Sequence, residues 1–454
     1  MNYTVNHHHS FARLAAATLV LFAFVASIPA QQSAVNSAQG AGSGSGFYAI
    51  RNARIVTVSG ADIESGTVVI RNGKIESVGA GIEAPAGAEA IDARGLTIYP
   101  GMIDAGTALG LVEVGSGAPG TVDTTEIGEL NPNAQAIIAI NPHSAHVNVT
   151  RVNGVTSVLT MPRGGVISGQ AALINLDGAT PREMAVVASA ALVINFPRAT
   201  TTTFDALFNP QAVNLNEAMA ARDRQLEQLR NLLRDAEAYG GAQDAYARDQ
   251  KLPRPAQSVV LASLVPFVRG ERPVIMGANR ESEIRAAIRF ADEMHLRPII
   301  LGGNEAGQAA ALLKERNVPV ILTGVLDLPS REDDYYDSLY ETAARLQRAG
   351  VRFCISTGNT GSNVRDLPYH AGMAAAFGLP RAEALKAVTL YPAQIMNVAD
   401  RLGSIEPGKT ANLVITDGDL LEARTRVRYL FINGRQLPLN SRHTELYEQF
   451  KNRK

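Results

Sequence analysis

The chain has 454 residues, of which 46% are hydrophobic and 19% charged, with a formal net charge of -1 and one cysteine. That length admits a large domain plus a smaller one, each with a sizeable core. The near-neutral, interspersed charge excludes nucleic acid or an anionic membrane surface as the expected partner, and a lone cysteine excludes an intrachain disulfide.

Residues 1–30 read as a signal peptide: a weakly basic lead over His7–Arg13, the apolar run Leu14–Ile28, and small residues ending at Ala30. The apolar run is short for a membrane span. The expectation is an exported chain, periplasmic or secreted, with no stable membrane span after cleavage. The triplet His7-His8-His9 leaves with this segment. Residues 31–46 are rich in Gly, Ser, Ala and Gln without periodicity, a flexible linker.

From Phe47 the pattern is short strands and tight turns. Two alternating apolar runs flank Asn72-Gly73 in "TVVIRNGKIESVG", the dipeptide of a type I′ hairpin turn. A second such hairpin lies at Asn433-Gly434 in "VRYLFINGRQLPL". The stretches 47–97 and 403–454 thus read as halves of one small composite β-sandwich.

Between them, over 98–402, apolar strands alternate with helical segments. "GVTSVLTMP" reads as a strand, and "MAVVASAALVINFP" suits a strand or a buried helix. "RPVIMGAN", "RPIILGGN", "VPVILTGV" and "VRFCISTGN" are four clear strands separated by helices with apolar residues at i, i+3, i+4 spacing. Near-continuous apolar strands with helical crossovers predict an α/β fold, a (β/α)8 TIM-like barrel. Residues 201–255 form a helical insertion in which Leu215, Met219, Leu226, Leu229 and Leu233 mark one face. That face packs on the barrel flank or over its mouth, or serves as a subunit contact or lid. Cys354, in "VRFCIS", reads as a small core hydrophobe.

The segments "ARIVTVSGADIESGTVVIRNGKIESVG", "IDARGLTIYPGMIDAG" and "FGLPRAEALKAVTLYPAQIMNVADRLGSIEPGKTANLVITDGD" resemble the amidohydrolase superfamily, particularly its imidazolonepropionase-like and prolidase-like group. The resemblance implies a distorted (β/α)8 barrel with a composite β-sandwich, and hydrolysis of C–N bonds. It also implies one or two divalent metals such as zinc, which lower the pKa of bound water and polarise the scissile carbonyl. The ligand motifs, however, are degenerate. The strand 1 His-x-His pair falls on Gly106 and Ala108, preceded by Asp104. The strand 5 and strand 6 histidines fall at or near Gly277 and Gly302, and the strand 8 aspartate at or near Gly358.

Nothing elsewhere in the barrel restores the set. Lys251, Lys314 and Lys386 lie in the insertion or on helices, where none would serve as a carbamate. His295 ends a helix, at the wrong end of a βα unit for a site built from the loops after strands. His143 and His146 are three apart on an expected helix outside the barrel, structural or solvent-facing, with a relocated metal pair as the alternative. Glu113, Asp123 and Glu126 lie in the loop after strand 1, solvated or else a weak Mg²⁺ or Ca²⁺ site. The sequence therefore predicts no cofactor and no catalytic residue. The expected pocket-lining residues are Asp104, Asn279, Arg280, Asn304, Asn359 and His370, with Arg280 pairing a ligand carboxylate or Glu283.

Three functions follow as expectations. The chain is a catalytically impaired or inactive homologue that partners or regulates an intact amidohydrolase, or self-associates. Alternatively it is a hydrolase of cyclic amides, ureides or dipeptides with a non-standard site, or an exported binder of small amides or peptides.

Overall fold

A computed structural model describes residues 46–115, 118–204, 209–329 and 333–453. The signal-peptide and linker readings fall, apart from Gly46, outside the described residues. Strands β1 (Phe47–Ile55), β2 (Ile63–Arg71), β3 (Lys74–Gly79), β4 (Glu89–Asp92) and β5 (Thr97–Pro100) open the chain. The barrel strands follow: β6 (Met102–Thr107), β7 (Val155–Thr160), β8 (Ile167–Asn175) and β9 (Ala185–Asn195). A small hairpin, β10 (Thr202–Phe204) and β11 (Pro210–Ala212), precedes β12 (Val274–Ala278), β13 (Pro298–Gly302), β14 (Val320–Leu322) and β15 (Phe353–Ile355). The chain returns through β16 (Leu413–Thr416), β17 (Val427–Ile432) and β18 (Arg435–Leu437).

Strands from both ends share one eight-stranded sheet, ordered β18-β17-β16-β5-β1-β2-β3 with β4 beside β1. Its centre is the antiparallel pairing of β16 with β5, Leu413 opposite Pro100. Both Asn-Gly turns take positive φ at both residues, 50° and 80° at Asn72-Gly73 and 53° and 70° at Asn433-Gly434. The turns also meet: a Cβ on Gly434 would lie 2.6 Å from the Gly73 Cα, so the close approach requires glycine as much as the dihedrals do.

The second eight-stranded sheet is the barrel, ordered β15-β14-β13-β12-β9-β8-β7-β6. The α/β barrel is present, with one strand reversed: β8 pairs antiparallel with both β7 and β9. Only six residues separate β7 from β8, too few for the crossover a parallel strand needs. β8 is buried along its whole length, so its sequence carries no alternation to announce it. The segment after Met184 is the strand β9 rather than a helix.

Alternate strand residues, among them Ile103, Leu159, Leu173, Val193, Ile275, Ile299, Ile321 and Cys354, form one interior cluster with Ala393, Ile395, Met396, Val398 and Leu402. The barrel is a packed core, closed at its amino-terminal end by that last stretch. The insertion is a 34-residue helix, Leu215–Arg248, capped at its start by the Asn214 side chain on the Asn216 amide. Leu229, Leu233, Ala236 and Gly240 bury one face, whereas Leu215 and Met219 of the expected stripe are exposed. The helix therefore packs chiefly from Leu226 onward, with Ala218 the one buried residue in its first three turns. No helix among the described residues is long and apolar enough to cross a membrane.

A turn after the barrel carries its own local ion pair. Lys409 donates to Glu406 at 2.8 Å and to Ser404, and Ser404 donates to Glu406 at 2.6 Å. These bonds, the lysine's foremost, hold the Glu406 carboxyl at about 2 against a usual 4.5. A depressed folded-state value stabilises the fold above pH 4.5, and that contribution is lost as pH falls toward 2. The urea midpoint of the wild type is expected to decline over that window more steeply than that of Glu406→Gln; parallel curves would refute the assignment.

Candidate functional site

The carboxyl ends of the barrel strands form the face where this architecture places chemistry. β6 and β15, the first and last barrel strands, share no ladder among the described residues. Their seam is closed instead by a side chain. Asp104 is fully buried and accepts from Ser356 Oγ, from Thr357 Oγ1 at 2.6 Å, from the Thr357 amide at 3.1 Å and from the Gly106 amide at 3.2 Å. Farther out, the Ala108 amide donates to the Asn359 carbonyl at 3.2 Å. Burial raises the Asp104 pKa, and these donors only partly offset it. Asp104 is therefore a staple within the wall and does not line a pocket, which corrects the sequence expectation.

Three of the five positions where the resemblance implies metal ligands resist a side chain, each in a different way. A Cβ on Gly106 would lie 2.8 Å from Ser356 Oγ and 3.3 Å from Leu301 Cδ1. Ala108 is buried. Gly302 has φ +100°, and a Cβ there would lie 2.2 Å from Asn279 Oδ1. Gly358 has φ +67°, with Thr323 Cβ at 3.0 Å. Only Gly277 has room, its nearest neighbour being the Ile194 carbonyl at 3.8 Å. Three of these positions thus carry a backbone or a packing that glycine alone accommodates easily. No group of three or more His, Cys, Asp or Glu able to hold a metal occurs among the described residues. The donor set does not fit the divalent metal that the resemblance implies.

Asn279, Arg280 and Asn304 do come together, in a recess of about 180 Å³ beside the barrel axis. Its floor is the loops after β12 and β13, and its wall is the helix Thr342–Ala349. Glu283 accepts from the Asn279 and Arg280 amides at 3.0 and 3.1 Å, capping its own helix, so its carboxylate serves backbone N–H groups. Arg345 pairs with Glu341 at 2.8 Å. Arg198, Arg280 and Arg345 face Glu283, Glu305 and Asp334 in this lining, a charge-balanced polar recess.

The remaining candidates lie apart. His370 sits within the helix Leu367–Ala376, 5% exposed, with Nδ1 lacking a hydrogen-bond partner. Burial drops its pKa to about 4, so it is a neutral imidazole in the core and lines no pocket, against expectation. Asn359 is half-buried at the seam, its amide donating to the Thr357 carbonyl. The helix holding His146 begins at Ala145, after Ser144 as its cap, so His143 lies outside it and the two imidazoles share no helical face. His146 Nε2 contacts the Glu113 carbonyl at 2.8 Å, tying down the loop after β6. Glu113 accepts from Asn141, and Asp123 and Glu126 are exposed. Cys354 is buried, its thiol pushed up by burial and by the neighbouring Asp104.

Sequence reasoning missed Arg163. It follows β7, and its Nη2 donates to the Gly358 carbonyl at 3.0 Å. An isolated arginine in "MPRGG" offers no signal of a contact 195 residues away.

A model described as the amidohydrolase family matches residues 278–437. The amidohydrolase tasK of Hapsidospora irregularis is 23% identical over 391 residues, 80% of this chain; the chain spans 38% of that relative's length. The crystal structure of an amidohydrolase from Thermotoga maritima MSB8 superposes with a TM-score of 0.76 at 25% identity, over 86% of this chain and 99% of that one. A prolidase complexed with N-methylphosphonate-L-proline shares the fold, with a TM-score of 0.52 at 18% identity over 86% of this chain and 99% of its own.

Proposed function

The chain belongs to the amidohydrolase superfamily, and from that premise we propose that it keeps the barrel without metal-dependent hydrolysis and acts, after export, as a partner or regulatory subunit of an intact homologue. The observation that carries the first half is the closure of three of the five ligand positions. Gly106 is backed by Ser356, itself held by Asp104, and Gly302 is held in a positive φ against Asn279. A site that had lost only its side chains would leave room for them.

The loops at the mouth support the second half. Ile127, after β6, is 98% exposed, and Leu328, Tyr335 and Tyr336, after β14, are 81%, 82% and 70% exposed. Large apolar side chains standing in water at the functional face of a barrel suit contact with another polypeptide. Export rests on the apolar segment Leu14–Ile28.

Two measurements test the proposal on the mature protein, purified without a histidine tag. Plasma mass spectrometry is expected to find metal at background, and dipeptides are expected to stay intact with zinc supplied. Near-stoichiometric metal with turnover abolished by a chelator would reverse the first half. A tagged chain recovered from its native cells is expected to bring down a metal-binding homologue; recovery alone, as a monomer, would reverse the second.

A further inference from the structure

The amino-terminal end of the barrel gathers a second set of polar groups, away from the face where this architecture places chemistry. β13 and β15 are each entered through an arginine, Arg297 and Arg352, and β14 through Arg316-Asn317-Val318-Pro319. β14 lies between β13 and β15 in the sheet, so Arg297 and Arg352 stand two strand spacings apart, roughly 10 Å. The three arginines and Asp292 line one groove of about 470 Å³, to which Gln394 and Asn397 of the closing stretch add amide donors.

Charge in this groove is uneven. Asp292 is engaged by Arg316 at 3.2 Å, and Glu315 lies 3.5 Å from the same guanidinium. Arg297 donates to the carbonyls of Gly270 and Glu271, both at 3.3 Å, and Arg352 to the Asn317 carbonyl at 3.0 Å. Among the described residues neither Arg297 nor Arg352 has a carboxylate partner, and both side chains are exposed. Two cations at this spacing repel each other, and an anion between them replaces that repulsion with attraction to both.

The groove continues into an apolar one. Arg352, Gln394 and Ile395 also line a neighbouring cavity of about 230 Å³, whose other walls include Val351, Phe353 and Tyr391. The Phe353 and Tyr391 rings meet edge to face with centroids 6.1 Å apart. The acid there, Glu383, accepts from Lys386 at 2.9 Å and from the Tyr391 hydroxyl, so its charge is balanced within the wall. Arg352 thus stands where a cationic groove and an aromatic cavity meet.

We infer that this end of the barrel binds a small phosphate monoester, its phosphoryl group between Arg297 and Arg352 and its apolar or aromatic body in the adjoining cavity. A dianionic, tetrahedral head accepts charge-assisted bonds from two guanidinium forks at once, whereas a single carboxylate fills one. The site lies at the opposite end of the strands from Gly106, Gly302 and Gly358, so the inference stands apart from the non-hydrolytic reading.

The test is calorimetry on the mature protein with phenyl phosphate, inorganic phosphate and phenol. Phenyl phosphate is expected to bind saturably, and the other two at least about tenfold more weakly, because each reaches only one subsite. Arg297→Gln and Arg352→Gln are each expected to weaken phenyl phosphate by about tenfold or more, with unchanged thermal midpoints. Arg297→Lys and Arg352→Lys, which keep the charge without the fork, are expected to fall between, and they carry the test if a glutamine variant unfolds. Arg280→Gln, at the carboxyl ends of the strands, is expected to bind as the wild type does. Absence of saturable binding, phosphate or phenol binding as tightly as the ester, or folded glutamine variants of wild-type affinity would each overturn the inference. So would loss of binding in Arg280→Gln alone, which would move the phosphate to the other end of the barrel.

Discussion

Asp104→Ala is expected to lose about 3–5 kcal/mol of folding stability, the range for breaking a buried charged network. The carboxylate accepts from two backbone amides and two hydroxyls, all buried where β6 meets β15. Alanine leaves the buried Gly106 and Thr357 N–H groups without this acceptor. Urea unfolding of the variant checks the magnitude; a loss under about 1 kcal/mol would show that the seam is held by other contacts. The pH dependence has a definite sign. Burial raises the folded-state pKa of Asp104 above 3.8, so the folded chain binds this proton more tightly than the unfolded one. The contribution is full below pH 3.8 and is lost as pH rises through the folded-state value. The gap between wild type and Asp104→Ala should therefore widen on acidification.

Returning a histidine to position 302 is expected to cost about 2–5 kcal/mol, combining backbone strain with overpacking. The residue has φ +100°, where an L side chain is strained, and its Cβ would fall 2.2 Å from Asn279 Oδ1. Gly277→His is the control. Its Cβ meets nothing closer than 3.8 Å, so the substitution is expected to lie within about 1 kcal/mol of neutral. Thermal and urea midpoints of the two variants separate the cases. If Gly302→His folds as stably as Gly277→His, the ligand positions were merely emptied and not closed. That outcome would also make a reconstructed metal site practicable.

Features set by local chemistry were legible in the sequence. The Asn72-Gly73 and Asn433-Gly434 turns need positive φ at both positions, and the dipeptides advertise it. The strands β12 to β15 read as apolar runs between helices because they are short, parallel and buried. Asn279, Arg280 and Asn304 follow neighbouring strands, so their meeting in one recess follows from the βα order. Features set by distant partners were not legible. Asp104 and His370 read as pocket residues because a polar side chain near a mouth resembles any other until its burial is known. β8 escaped notice for the opposite reason, since a strand buried on both faces has no period. Arg163 depends on a carbonyl from the far end of the barrel.

The side-chain seam also sets a schedule for synthesis. Asp104 and Ser356 are 252 residues apart, and at about 5–20 residues per second a ribosome needs roughly 13–50 s to add that length. Through that interval β6 stands as an open strand edge carrying a carboxylate with no donors from β15. The other sheet waits as well, because β5 pairs with β16 beyond residue 412. An unpaired edge is a template for association with other chains, and long-range closure is the slow part of folding. The nascent chain thus spends most of its synthesis with both sheets unfinished, and its demand for chaperone protection is set by the position of Ser356 and Thr357 in the sequence.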